Sequence, residues 1–149
     1  MLNRFEQFTS GIAAITRDVQ RIERDEMEKH GLRGAFAQYL LALSHHPEGM
    51  TAAALCEACD KDKAAVSRIL AEMDNKGLLT RETGASPYRA KLFLTAAGQE
   101  AADFVKKRAS IAVELAGSGL TDEQRATFYA ALELICTNLQ TICRDGIPE

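Results

Sequence analysis

The chain has 149 residues, 46% of them apolar and 26% charged, which fits one globular domain or a domain with added helices. Its longest apolar run, residues 39–43, is too short to span a bilayer, and residues 1–10 lack the apolar stretch of a secretory signal, so we expect a cytoplasmic protein whose four cysteines stay thiols. The net charge of −3 excludes a protein that is basic throughout.

An apolar seam marks the first 31 residues. Its members follow one another at steps of three and four: Phe5, Phe8, Ile12, Ile15, Val19 and Ile22. This spacing predicts a helix from about Arg4 to Lys29, which Gly31 is suited to end. Such a seam packs either on a partner chain or on its own chain, and this helix alone does not decide between the two.

Three shorter helices are predicted next. The first runs from about 33 to 45 and ends before a Pro-containing turn. Thr51 is suited to cap a second helix over 52–59, and Asp62 a third over 63–76, because each side chain can accept a bond from an otherwise unpaired backbone N–H. A tight turn joins the last two helices.

The residue pattern changes after Gly77 from helical spacing to short runs that are typical of strands. The runs "LLTRET" and "YRAKLFL" contain β-branched, aromatic and alternating residues, and "GASP" lies between them. Two such runs around a Gly/Ser/Pro turn predict a β-hairpin. Thr95 then caps a helix that we expect to reach about residue 115.

A second apolar seam lies at the C-terminal end. "TDEQ" at 121–124 fits a capping box, and the helix that follows carries Phe128, Leu132, Ile135, Leu139 and Ile142 at steps of four and three. A small central module offers too little apolar surface to bury two seams, so we expect a homodimer whose end helices pack together. The predicted dimer interface is Phe5, Phe8, Ile12, Ile15, Phe128, Leu132, Ile135, Leu139 and Ile142.

The order helix, tight turn, helix and hairpin is that of a winged helix-turn-helix, whose second helix enters the DNA major groove. Here the outward face of that helix is slim, with Ala64, Ser67 and Ala71, and Arg68 can reach guanine or a phosphate. Lys63 stands near the helix start, where a phosphate would lie. Residues 60–95 also carry seven Lys or Arg against five Asp or Glu. The alternative is a plain helical hairpin with a solvated face.

The stretches "LCEACDKDKAAVSRILAEMDNKGLLTR" and "LFLTAAGQE", in this order, resemble the MarR family of bacterial transcriptional regulators. The resemblance covers nearly the whole chain. It implies a mainly α fold with a small β-hairpin wing, a winged helix-turn-helix flanked by N- and C-terminal dimerisation helices. The expected domains are 1–31 and 96–149 for dimerisation and 32–95 for DNA binding, with the wing at about 78–94.

The resemblance also implies a function. Members of this family are homodimers that bind pseudo-palindromic operator DNA, usually as repressors, and many release it on binding small aromatic or phenolic effectors. A smaller group senses oxidants or metals. By position, the expected DNA contacts are Thr51, Lys61, Lys63, Ala64, Ala65, Ser67, Arg68, Arg81, Arg89 and Lys91. The expected effector contacts are Arg24, Arg33, Tyr39 and the helix after the wing.

The wing departs from the family pattern. Family wings commonly carry an Asp-Arg-Arg-like run at the tip, whose Arg enters the minor groove. This chain has Ser86, Pro87 and Tyr88 there, with Arg89 as the available substitute. We expect weaker or narrower reading of the minor groove.

Four cysteines raise the alternative of a sensor. Cys56 and Cys59 stand one helical turn apart, and the three interpretations are buried apolar residues, a redox sensor and half of a metal site. Cys136 and Cys143 share one face of the last helix, and burial is the favoured interpretation for them too.

Adjacent histidines do not add a metal site. His45 and His46 point about 100° apart on a helix and chelate poorly together, so with Glu48 they form a polar helix end, and His30 is interpreted in the same way. We expect no cofactor and no metal. The sequence has no Ser/His/Asp ordering, phosphate loop or metal signature, so we expect no enzyme. A winged helix used for protein contacts is the remaining alternative.

Overall fold

The computed structural model describes residues 3–84, 86 and 89–149. The elements are α1 (Arg4–Lys29), a 3-10 turn (Gly34–Phe36), α2 (Ala37–Ser44), α3 (Ala52–Cys59), α4 (Lys63–Asn75), β1 (Leu79–Arg81), β2 (Leu92–Leu94), α5 (Ala96–Ala116) and α6 (Asp122–Asp145). The predicted fold class, mainly α with a β-hairpin, is confirmed. Residues up to 112 and residues 113–149 form two compact units. Within the described ranges, no helix is long and apolar enough to cross a membrane.

Side-chain caps start the helices where the sequence predicted. Thr51 Oγ1 accepts the N–H of Ala54 at 3.1 Å, and Asp62 Oδ1 accepts the N–H of Ala65 at 2.7 Å. Each cap satisfies a backbone donor that has no partner inside the helix, which is worth about 1 kcal/mol. Between these helices Asp60 adopts the left-handed conformation, with φ of 50°, and so turns the chain sharply. The predicted helix-turn-helix is confirmed.

The second helix differs from its prediction at the start. We expected an α-helix from Arg33, but residues 34–36 form a 3-10 turn and α2 begins at Ala37. The backbone of Gly34 packs closely against α1. A Cβ added at Gly34 would lie 3.1 Å from the Arg24 Cβ. The tighter turn accommodates this close approach.

The hairpin is shorter than predicted and has an additional partner. β1 and β2 pair antiparallel, with Thr80 opposite Phe93. Met50 forms a bridge to Leu92, with N–H···O distances of 3.1 and 2.7 Å in the two directions. We predicted only a turn there. Of the predicted wing tip, Ala85, Pro87 and Tyr88 lie outside the described residues.

A buried core holds the helix-turn-helix to the end of α1. Val66, Leu70 and Met73 form the buried face of α4, as the helical spacing predicted. They pack in one hydrophobic cluster with residues of α1, α2, α3, β2 and α5. The large, fully buried side chains that these other parts of the chain contribute are Met27, Phe36, Tyr39, Leu40, Leu55, Leu92 and Val105. Burying each such side chain contributes about 1.5–3 kcal/mol, so the core fixes the orientation of α4.

Thr95 ties the end of α4 to the start of α5. Its hydroxyl donates to the Gly77 carbonyl at 2.6 Å and accepts the N–H of Gly98 at 3.1 Å, and its own N–H donates to the Leu78 carbonyl at 3.1 Å. The predicted cap at Thr95 is confirmed. Gly98 lies so close to Leu78 that a Cβ there would stand 2.0 Å from the carbonyl oxygen. The motif "LT-x-x-G" therefore makes a close junction of two backbones.

Glu26 joins α1 to α5. This carboxylate is buried and accepts bonds from Lys29 Nζ at 2.8 Å and Arg108 Nε at 3.0 Å. The hydrogen bond from Lys29 lowers the pKa of Glu26, burial opposes the change, and Arg108 adds to it. The Arg108 partner lies 82 residues away along the chain, so no local pattern indicated this contact.

In the second unit, α6 begins at the predicted capping box. Thr121 Oγ1 accepts the N–H of Gln124 at 3.1 Å, and Gln124 Oε1 accepts the N–H of Thr121 at 2.9 Å. Arg125 then pairs with Glu114 at 3.0 Å and donates to the Gly117 carbonyl at 3.1 Å. No residue of α6 is buried in the single chain that the structure describes.

Candidate nucleic-acid interface

The outward face of α4 has the residues that the sequence predicted. Ala64, Ser67, Arg68 and Ala71 are exposed, and Ala65 is half-buried. Within the described residues, the Arg68 side chain has no ion-pair or hydrogen-bond partner. A helix face with small side chains and the Arg68 guanidinium, unpaired in the described part of the chain, has the shape and the hydrogen-bond donors to fit a DNA major groove.

Thr51, Lys61 and Lys63 surround the helix-turn-helix. The Thr51 hydroxyl accepts the cap bond, which leaves its proton for another acceptor such as a phosphate. Lys61 is exposed in the tight turn, and Lys63 is exposed at the first residue of α4. Both lysines therefore lie near the positive end of the α4 dipole, where an anion is favoured.

The wing presents three exposed cations. Arg81 lies at the end of β1, with its Nε 3.8 Å from Asp74 Oδ2 at the end of α4. Lys91 is exposed beside β2, and its N–H donates to Glu82 Oε2 at 3.3 Å. Arg89 is exposed, and its N–H donates to the Ser86 carbonyl at 3.0 Å. Each guanidinium or ammonium group is accessible to a phosphate backbone.

A cavity of about 430 Å³ brings the three predicted effector residues together. Its cationic lining residues are Arg24 from α1, Arg33 before the 3-10 turn, Lys61 and Arg68. Tyr39 of α2 forms part of the wall, and burial raises the pKa of its phenol. The helix after the wing, which was also predicted to contribute to an effector site, does not line this cavity, whereas Ala65, Arg68, Ile69 and Glu72 of α4 do.

An ion pair crosses the wall of this cavity. Arg33 Nη1 donates to both carboxylate oxygens of Glu72, at 2.6 Å to Oε1 and 2.5 Å to Oε2. The Arg33 guanidinium also lies 6.0 Å from the centroid of the Phe36 ring. Glu72 lies in the C-terminal half of α4. Its partner is 39 residues away in sequence, so helical spacing gave no sign of it.

A smaller pocket of about 90 Å³ shares residues with this cavity. Arg24, Gln38 and Lys61 line both, and Glu23 lines the smaller one. Burial raises the pKa of Glu23, while Arg24 opposes that change. Sequence reasoning missed Glu23, because it looks like one of many polar residues on α1.

The cysteines divide into two pairs. Cys56 and Cys59 are half-buried against the core, and burial raises the pKa of Cys59. A raised pKa reduces the thiolate fraction, which disfavours a reactive thiol. Cys136 and Cys143 are exposed in the single chain, so the expectation of burial is wrong for the chain alone. Among the described residues, no group of three or more His, Cys, Asp or Glu could hold a metal ion.

The histidines have ordinary partners. His46 Nδ1 lies 2.9 Å from Glu48 Oε1, and this hydrogen bond lowers the pKa of Glu48. The His30 ring packs against Phe104 with the centroids 4.6 Å apart. The His46 contact agrees with the interpretation of a polar helix end, whereas His30 packs on an aromatic ring.

Both terminal seams are accessible to solvent. On α1, Phe5 is 72% exposed and Ile15 is 55% exposed, while Phe8 and Ile12 are also exposed. On α6, the exposed seam residues are Phe128, Ile135, Leu139 and Ile142, and Leu132 is half-buried. Apolar stripes of this length at helical spacing are typical of helices that pack on a partner.

A family model described as MarR family matches residues 30–89, which run from the end of α1 into the wing. This part of the chain is similar to the MarR family. The match agrees with the resemblance found in the sequence, and the matched range contains α2, α3, α4 and β1 and ends before β2.

Solved structures match the fold over most of the chain. A MarR transcriptional regulator from Methanosarcina mazei Go1 matches with a TM-score of 0.77 at 23% identity, over 95% of this chain and 94% of that one. A MarR family regulator from Silicibacter pomeroyi matches at 0.68 and 24%, over 85% and 86%. MepR of S. aureus, in complex with DNA, matches at 0.64 and 18%, over 92% and 99%. No curated protein sequence matches the chain.

Proposed function

We propose that this protein is a MarR-family, sequence-specific DNA-binding transcriptional regulator that represses its target genes. The observation that carries the proposal is the exposed, slim face of α4 with Arg68 projecting from it. Lys61, Lys63 and the wing cations supply sequence-independent attraction to phosphates, while Ser67 and Arg68 contact base edges. The similar MepR was solved in complex with DNA, which supports the proposal.

Selection of genomic fragments by the purified, reduced protein tests this function. We expect enrichment of a short inverted repeat, with affinity that falls steeply as salt rises, because phosphate contacts release counterions. The two half-sites should lie about one helical turn apart, ~34 Å, to match two recognition helices. Absence of enrichment at low salt would overturn the proposal and favour a winged helix that binds protein.

The protein acts as a homodimer in this proposal. The apolar seams on α1 and α6 are both exposed to solvent. A second copy of the chain, related by a two-fold axis, would bury them against its own seams. Two-fold symmetry in the protein also explains why the expected operator is a pseudo-palindrome.

A charge placed in the α6 seam is expected to break the dimer. Ile135→Arg puts a guanidinium where the partner's apolar residues should pack, so light scattering should give the mass of a monomer instead of a dimer. Leu134→Arg is the matched control, because Leu134 is 61% exposed on the adjacent face of the same helix and lies outside the seam. A dimer that persists in the Ile135 variant would contradict the proposed interface.

The cavity beside α4 is the proposed effector site. Four cationic residues, Arg24, Arg33, Lys61 and Arg68, line it with the carboxylate of Glu72, and the largely buried Tyr39 forms part of its wall. These features suit a small aromatic or phenolic effector that carries negative charge. Adding aromatic acids to the operator-binding reactions tests this proposal. If an acid releases the protein from the operator, but variants of the cavity residues bind that acid with an unchanged Kd, then the effector binds elsewhere. The effector must favour the form that does not fit the operator, since equal affinity for both forms changes nothing.

A further inference from the structure

Arg68 and Glu72 stand four residues apart on α4 and therefore share one face of the helix. Side chains of opposite charge at this spacing attract each other, even in the less favourable order with the cation first. In this structure they do not pair. Glu72 is taken by Arg33, and Arg68 has no ion-pair partner among the described residues.

We infer that Arg33 is a positioning residue for DNA binding: by holding Glu72, it keeps Arg68 free to reach the base edges. This inference rests on the proposed DNA-binding function and goes beyond it, because Arg33 acts without a contact to DNA. Arg33, Arg68 and Glu72 all line the same cavity, so the three charges are close enough to exchange partners.

The geometry around Arg33 fits this role. Its Nη1 donates to both oxygens of Glu72, and its guanidinium is oriented near the ring of Phe36, a fully buried residue. Gly34 fixes the backbone next to Arg33 against α1. The Arg33 cation is thereby directed at the carboxylate that stands one helical turn from Arg68.

Stability alone does not explain the pair. The Arg33 and Glu72 side chains are 55% and 40% exposed, and ion pairs this exposed contribute little to folding. The effect on Arg68 is of a different kind, because a carboxylate bound to Arg68 must be released before the guanidinium can bind guanine. The pair therefore matters more for binding than for folding.

The test measures operator affinity for Arg33→Met alone and in a Glu72→Gln background. Arg33→Met should weaken binding about two- to fivefold, since each protomer of the dimer gains one competing helical ion pair. In the Glu72→Gln background the same change should have no further effect, because the competing carboxylate is gone. Arg33→Lys, which keeps a cation near Glu72, should restore most of the affinity.

Arg17→Met is the matched control for the loss of one positive charge. Arg17 also pairs with a carboxylate, Asp18 at 3.3 Å, and its side chain is 71% exposed on α1. Its effect on affinity is subtracted from that of Arg33→Met, and thermal unfolding checks that each variant is folded.

Two outcomes would overturn the inference. One is an unchanged affinity for Arg33→Met, and the other is a loss that is equal with and without Glu72, which would make Arg33 a direct DNA contact. If the wild-type protein binds no operator, the proposed function itself fails, and that result is separate from both.

Discussion

Arg68→Ala is expected to reduce operator affinity more than any other single change on the DNA-binding surface. A bidentate contact from arginine to guanine O6 and N7 is worth about 1–3 kcal/mol, so two half-sites give roughly 2–6 kcal/mol for the dimer. Arg68 is exposed on the slim face of α4 and has no ion-pair partner among the described residues. Titration of the selected operator at fixed salt measures the change.

The pattern of the loss identifies the contact. If Arg68 reads a base, Arg68→Ala should also relax the preference at one position of each half-site. If it binds a phosphate, all sequences should weaken equally and the salt slope should fall by about one per contact. Ala71→Ser is the control, because it adds a single oxygen to the same exposed face and keeps the charge. An unchanged affinity for Arg68→Ala would show that α4 does not read DNA in this way.

Among substitutions that add a single methyl group, we expect Gly98→Ala to lower the free energy of unfolding most. The added Cβ would lie 2.0 Å from the Leu78 carbonyl oxygen, which is backbone and cannot rotate away. The start of α5 or the end of α4 must shift, and overpacking of this kind costs about 1–3 kcal/mol or more. We expect the Tm to fall by several degrees in a thermal unfolding measurement at fixed protein concentration.

The neighbouring residue provides the comparison for Gly98. Ala97→Ser adds one atom at an exposed position on the first turn of the same helix, and its effect should stay within about 0.5 kcal/mol. A Gly98→Ala protein as stable as Ala97→Ser would mean that the two backbones do not approach as closely as the structure shows.

Local chemistry made much of the fold predictable. The caps at Thr51, Asp62, Thr95 and Thr121 are each decided by a side chain and a backbone N–H three residues away. Such signals depend only on nearby residues, and the predicted bounds of α1 agree with the structure for the same reason. The bridge from Met50 to Leu92 was missed, because a single pair leaves no periodic pattern.

The candidate site was predictable only in part. The period of α4 indicated which of its residues face outward, and Ser67 and Arg68 are exposed as expected. The pairing of Arg33 with Glu72 depends on how the 3-10 turn packs against α4, which no spacing within one helix reveals. Likewise, the exposure of Cys136 follows from the three-dimensional surroundings of α6 and not from its own sequence.

The proposed homodimer would tie regulation to the amount of protein in the cell. Phe5 and Ile15 on α1, and Leu139 on α6, are accessible in the single chain. Under the proposed function, the form that binds an inverted repeat exists only after two chains associate. When most chains are still single, operator occupancy rises with the square of their concentration. A modest change in synthesis or degradation would then produce a steep change in transcription, before any effector is bound.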